Sequence, residues 1–173
     1  NRIIVSEGFK RMKHPANMGL GKLLESAGYD FKRKITSGFI GFGLAPRLNA
    51  GGRMGDAKRG VRLFTTREEE EAAAIAAELE VENNHRKETE QMILKQVTDQ
   101  IEASDAIRNS RVMVVAGEGW HHGVIGIVSS RIKDMFYRPN ILLSIENGVA
   151  TGSARSIDGF NLFEALCTCS DLM

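Results

Sequence analysis

Residues 67–106 contain neither proline nor glycine, and an uninterrupted run of that length leaves few options besides one long helix. At about 1.5 Å per residue it would span about 60 Å. Thr66 followed by Glu69 has the capping-box spacing, and four consecutive glutamates, residues 68–71, fall where the positive end of a helix dipole favours them. Ile75 and Leu79, then Ile93, Val97 and Ile101, recur at i,i+4, but no heptad is sustained. A helix with so narrow an apolar stripe reads as a connector between two bodies and not as a coiled coil. Its middle, residues 83–90, carries few large apolar side chains and is expected to be solvent-exposed.

The two flanks differ in character. Residues 1–56 are rich in glycine and read as a small α/β remnant, with a helix near residues 20–27 followed by a glycine-punctuated segment, 38–55. After Arg111 the pattern is α/β: strands are predicted at residues 112–116, 141–145 and 149–156, and a helix carries Val124, Ile125, Ile127, Val128, Ile132 and Met135 on its apolar face. Asn147-Gly148 is a hairpin signal, and Asn161 with Glu164 caps a last helix over 162–172. The chain of 173 residues has no apolar run of membrane-spanning length. Its two cysteines, Cys167 and Cys169, exclude a disulfide scaffold, fit a reducing compartment such as the cytoplasm, and read as packing residues. Asn1 in place of an initiator methionine, with no basic-then-apolar leader, suggests a fragment without a targeting peptide.

Net charge is +1, yet residues 1–66 carry +9, residues 67–110 carry −7 and residues 111–173 carry −1. A strongly basic first third suits either an anionic partner such as nucleic acid or a solvated surface.

Two constellations could bind phosphate. In residues 46–55, Arg47, Asn49 and Arg53 flank glycines that would let backbone amides approach a ligand; the alternative is an arginine tying its own loop to nearby carbonyls. The second combines Trp120, His121 and His122 at a predicted strand-to-helix turn with Gly152, Ser153, Arg155 and Ser156 on the third strand. There helix N-terminal amides, hydroxyls and a guanidinium could converge on an anion. Trp120 could stack a base or anchor the turn. The adjacent histidines point apart and their near neighbours in sequence do not complete a set of ligands, so no metal site is assigned, and no catalytic residue is assigned in this chain.

Residues 40–56 (IGFGLAPRLNAGGRMGD), 120–131 (WHHGVIGIVSSR), Tyr137-Arg138-Pro139 and residues 152–157 (GSARSI) resemble, in order and spacing, the RecJ family of single-strand-specific DNA exonucleases within the DHH phosphoesterase superfamily. The resemblance implies an α/β architecture in three parts: the end of a DHH domain at residues 1–66, a long connecting helix at 67–108, and the start of a DHH-associated domain at 109–173. It implies a 5′→3′ exonuclease of DNA repair and recombination that uses Mn²⁺ or Mg²⁺. The metal ligands of the family would lie outside this chain, and His121-His122 is not the Asp-His-His triplet that names the superfamily. Substrate-binding positions implied by the resemblance are Arg47, Asn49, Arg53, Trp120, His121, Arg131, Gly152, Ser153, Arg155 and Ser156. The expected partner is single-stranded DNA, with a helicase and a single-strand-binding protein as further candidates and no membrane. Two other readings are a phosphodiesterase for short oligonucleotides or cyclic dinucleotides and a non-catalytic nucleic-acid-binding module.

Overall fold

The computed structural model describes residues 1–170. It contains two compact units, residues 1–86 and residues from Lys87 onward.

The first unit is helical throughout, which corrects the α/β expectation for residues 1–56. Helices α1 (Arg2–Met12), α2 (Met18–Ser26) and α3 (Ser37–Phe39) lead through a π-helical turn, Ile40–Leu44, into α4 (Ala45–Met54), α5 (Lys58–Thr65) and the long α6 (Glu69–Ala103). Leu23, Leu24, Leu44, Leu63, Ala72, Ile75, Ala76 and Leu79 form the core. Gly38, Gly41, Gly43, Gly51 and Gly52 lie within helical turns and do not punctuate a loop; Gly55 does, as the C-cap that ends α4. Gly51 is buried on α4, and a Cβ there would lie 3.0 Å from Leu79 Cδ2, so this glycine permits close helix packing at a cost in helix propensity of about 1 kcal/mol.

Thr66 is the C-cap of α5, and α6 begins at Glu69, so the reciprocal box expected at Thr66 is not formed. The Thr66 hydroxyl accepts the Glu68 amide at 3.2 Å and donates to the Glu71 carboxylate, while Glu69 instead pairs with Lys22 at 2.7 Å. Burial along α6 falls on Ala72, Ile75, Ala76, Leu79, Asn83, Arg86, Glu90, Ile93, Val97 and Ile101. That stripe alternates three- and four-residue steps without a break from Ala76 to Val97. The expectation of an exposed middle is therefore corrected: the stripe continues, but its central positions are polar. Arg86 Nη2 donates to Asn83 Oδ1 at 3.1 Å, and amides in this stretch are expected to exchange slowly.

The charge asymmetry also has an internal use. Lys22 pairs with Glu25 and Glu69, Arg47 with Glu80, Arg59 with Glu78 and Glu82, and Arg62 with Glu71. Four basic side chains of the first 66 residues are thus answered by the acidic helix. A hydrogen bond from Lys22 holds the Glu69 carboxyl below its ordinary range, and bonds from Arg62 and then Thr66 do the same for Glu71. Carboxyls whose pKa falls on folding stabilise the fold above their unfolded pKa and lose that contribution as pH drops through the folded value. The urea midpoint is therefore expected to fall as pH goes below the ordinary carboxylate range, and to fall less in Glu71→Gln. An identical pH profile for wild type and variant would show that the Glu71 pairs contribute nothing.

In the second unit, α6 ends at Ala103. Ser104 caps α7 (Asp105–Asn109), and strand β1 (Met113–Glu118) runs parallel to β2 (Asn140–Glu146) through helix α8 (His122–Phe136). Strand β3 (Val149–Arg155) returns antiparallel, giving the order β1-β2-β3. Asn147 and Gly148 both take positive φ, 51° and 78°, as the tight hairpin requires. Met113, Val115 and Leu142 are buried with Val124, Ile125, Val128 and Ile132 of α8. A buried polar pair joins α8 to β2: Ser129 Oγ donates to Asn140 Oδ1 at 2.7 Å, and Asn140 Nδ2 donates back to the Ser129 carbonyl at 3.0 Å. Helix α9 (Leu162–Cys167) opens at the expected Asn161 cap; residues 171–172 of the expected helix lie outside the described residues. Cys167 and Cys169 are free and exposed, which corrects their reading as packing residues. Among the described residues no helix is long and apolar enough to cross a membrane.

Candidate nucleic-acid interface

Ser153 and Arg155 are two apart on β3, so both face the same side of the sheet. Helix α8 comes close there at Gly126, where a Cβ would lie 3.2 Å from Ser153 Oγ and 3.3 Å from Arg155 Nη2. The Arg155 guanidinium is held by neutral acceptors: Nε donates to Ser130 Oγ at 2.9 Å, and Nη1 donates to Ser153 Oγ at 3.0 Å and to the Ala154 carbonyl at 2.8 Å. Ser130 Oγ donates in turn to the Gly126 carbonyl at 3.0 Å. Among the described residues Arg155 makes no ion pair, with Asp158 or any other acid. The result is an exposed, oriented and un-neutralised guanidinium.

The other predicted positions in this unit play different parts. Gly152 has no room for a side chain, since a Cβ would lie 2.2 Å from the Leu142 carbonyl oxygen. Ser156 turns away from Arg155 and donates to the Phe160 carbonyl at 2.6 Å. His121 caps α8 by accepting the Gly123 amide on Nδ1 at 3.1 Å, which uses one of the amides that an anion would need. A neutral His121 therefore carries its proton on Nε2. His122 lies 3.0 Å from Thr151 Oγ1 through Nδ1 and 3.6 Å from Glu146 through Nε2.

Trp120 is only 1% exposed, and its indole N–H donates to Gln96 Oε1 at 2.6 Å. A Cβ on Gly117 would fall 2.3 Å from its ring. This buried ring offers no face to a base, so the structure favours the turn-anchoring alternative over stacking. Arg131 Nη1 donates to Glu90 Oε1 at 2.8 Å.

The first unit carries the remaining three. Arg47 is turned inward, bonded to Glu80 and to the Gly43 carbonyl, which matches the loop-tying alternative in a helical setting. Asn49 and Arg53, one helical turn apart, lie on the exposed face of α4. The α4 amides after the first turn serve the helix itself, so the backbone cradle expected from the glycines is not formed.

Three contributors escaped the sequence: Ser130, Glu90 and Gln96. The Gly126/Ser130 pair at i,i+4 on the sheet-facing side of α8 was the one available signal, because small residues at that spacing mark close approach to a neighbouring element. Glu90 and Gln96 lie among many charged and polar residues of α6, and nothing local distinguishes them.

No group of three or more His, Cys, Asp or Glu side chains among the described residues could hold a metal ion. His122 and Glu146 alone make too small a donor set for a hard divalent cation. These residues do not, by themselves, fit a catalytic metal.

Residues 109–171 match the DHHA1 domain model. Along its whole length the chain is 42% identical to the single-stranded-DNA-specific exonuclease RecJ of Bacillus subtilis (strain 168), of which it spans 22%. It is 38% identical to the same-named protein of Escherichia coli (strain K12), with 96% of this chain and 29% of that protein aligned. The crystal structure of RecJ in complex with Mg²⁺ from Thermus thermophilus superposes over all of this chain and 26% of that one, at a TM-score of 0.84 and 33% identity. A structure of exonuclease RecJ bound to manganese matches at 0.84 and 32%, with 42% of that chain covered. The chain spans about a quarter of the length of the curated relatives it matches. Similarity along every element described above, together with a DHHA1 domain at residues 109–171, places this chain in the RecJ family, as a segment of it.

Proposed function

We propose that this chain supplies DNA-gripping residues to a single-strand-specific 5′→3′ exonuclease, with Arg155 as its charged anchor. Residues 1–66 would close a DHH domain, residues 67–108 connect, and residues 109–173 begin the DHH-associated domain. The observation that carries the reading is the Arg155 guanidinium, oriented by Ser130 and Ser153 with no carboxylate to neutralise it. An arginine so placed presents donors matched to phosphate oxygens. Arg131, Asn49 and Arg53 join it as candidate contacts, while Arg47, Trp120, His121 and Ser156 position the elements that carry them. When bound, Mn²⁺ or Mg²⁺ would supply the activated water from ligands outside this chain. The residues of this segment would bind and orient the strand and stabilise charge on the phosphate. A helicase and a single-strand-binding protein remain candidate partners, and the cytoplasm the candidate location.

The test is hydrolysis of end-labelled single-stranded and duplex DNA by the intact protein with Mn²⁺. Preferential release from single strands is expected. Binding without hydrolysis would favour the non-catalytic module, and selective cleavage of dinucleotides the small-substrate phosphodiesterase. The chain alone is expected to degrade nothing; EDTA-sensitive degradation by rigorously purified chain would overturn the placement of the metal ligands elsewhere.

A further inference from the structure

Glu90 and Arg131 are an unequal pair. The Glu90 side chain keeps 11% of its exposure and that of Arg131 keeps 50%, with Nη1 and Oε1 at 2.8 Å. A surface pair of this kind would have little structural value, whereas taking a carboxylate out of water is costly unless it is bonded. Here one partner has been withdrawn from solvent and the other has not. The Nε and Nη2 donors of Arg131 have no protein acceptor among the described residues. Arg131 also follows Ser130, which holds Arg155. Consecutive residues of α8 therefore meet two guanidiniums: the Ser130 hydroxyl receives that of Arg155, and Arg131 carries its own, held by a buried carboxylate of α6.

We propose that Glu90 is a positioning residue for Arg131: it fixes one edge of the guanidinium so that the free edge is presented to a phosphate oxygen of single-stranded DNA. The role rests on the reading of Arg131 as a strand contact. Anchoring reduces the side-chain freedom that a long, mobile arginine would lose on gripping a phosphate. It has an opposing effect, because the Glu90 charge weakens the field that Arg131 shows to an anion. The two effects predict opposite signs when Glu90 is removed, and that makes the proposal testable.

The experiment measures affinity of the intact protein for a 5′-phosphorylated oligothymidylate in metal-free buffer, across a salt series, for Glu90→Ala, Glu90→Gln, Arg131→Ala and the Glu90→Ala/Arg131→Ala double variant, with thermal melting as a folding check. Arg131→Ala is expected to weaken binding by about tenfold or more and to reduce the salt slope by about 0.7. Glu90→Ala is expected to weaken it by about tenfold, and Glu90→Gln, which keeps an acceptor in place, to recover most of that loss. The double variant should bind no more weakly than Arg131→Ala alone. Binding by Glu90→Ala as tight as wild type, or tighter, would overturn the proposal, as would a further loss in the double variant, which would mark Glu90 as structural. If Arg131→Ala itself leaves affinity and slope unchanged, the assignment of Arg131 as a strand contact fails, and the positioning role fails with it. The reading of Arg155 would still stand.

Discussion

Replacing Arg155 by alanine in the intact protein is expected to lower single-strand binding or turnover by about 10- to 150-fold, the equivalent of charge-assisted hydrogen bonds worth about 1.5–3 kcal/mol. Folding should change little, because the bonds lost are to two serine hydroxyls and one carbonyl at an exposed position. Lysine should rescue only in part: it can carry the charge but cannot span Ser130 and Ser153 with a planar fork. Ser130→Ala, which frees Nε, should cost a few-fold at about 1 kcal/mol or less. The decisive comparison is exonuclease rate on 5′-phosphorylated against 5′-hydroxyl single strands for wild type and Arg155→Ala. Full activity with an unchanged end preference would make Arg155 a structural residue and remove the main support for the proposed function.

The second large effect is on stability. Trp120→Ala is expected to destabilise the second unit by about 3–5 kcal/mol, the cost of deleting a large buried aromatic side chain. It would also leave Gln96 without its indole donor. Trp120→Phe should recover most of the packing and lose the hydrogen bond, at about 1 kcal/mol. Urea unfolding followed by far-ultraviolet circular dichroism measures both. A Trp120→Ala protein with wild-type stability and weakened DNA affinity would reverse the assignment and make the ring a stacking platform.

Local chemistry made some of this structure legible in advance. The Asn147-Gly148 hairpin, the Asn161 cap and the strand–helix–strand order of the second unit all follow from preferences that act within a few residues. The glycine-rich run before Gly55 was misleading because glycine has two uses. Sequence shows a loop former, whereas close approach to Leu79, about thirty residues on, makes it a helix residue. The middle of α6 failed for a related reason: Asn83, Arg86 and Glu90 look like a solvated face until their partners are known, and Arg131 is far away in sequence. Charge was legible in sign and not in destination, since a +9 segment beside a −7 segment can attract a ligand or pair with itself. In the candidate site Arg155 stands out in the sequence by its type and motif, and the structure adds that its guanidinium is bonded only to neutral acceptors. Ser130 and Glu90, which set guanidinium direction, were invisible because orientation comes from contacts between elements.

The polar centre of α6 also marks position along the helix. If the first half slid by seven residues against its packing partners, Asn83 and Arg86 would replace Ala76 and Leu79 in a hydrocarbon core. A similar slip of the second half would put Arg86 and Glu90 into the slots of Ile93 and Val97. Uniform apolar stripes tolerate such slips, and buried polar residues at stripe positions are the established device against them. The three polar residues thus act as a ruler: they give a helix of 35 residues a single admissible phase in each unit, fixing which residues of α6 each unit receives.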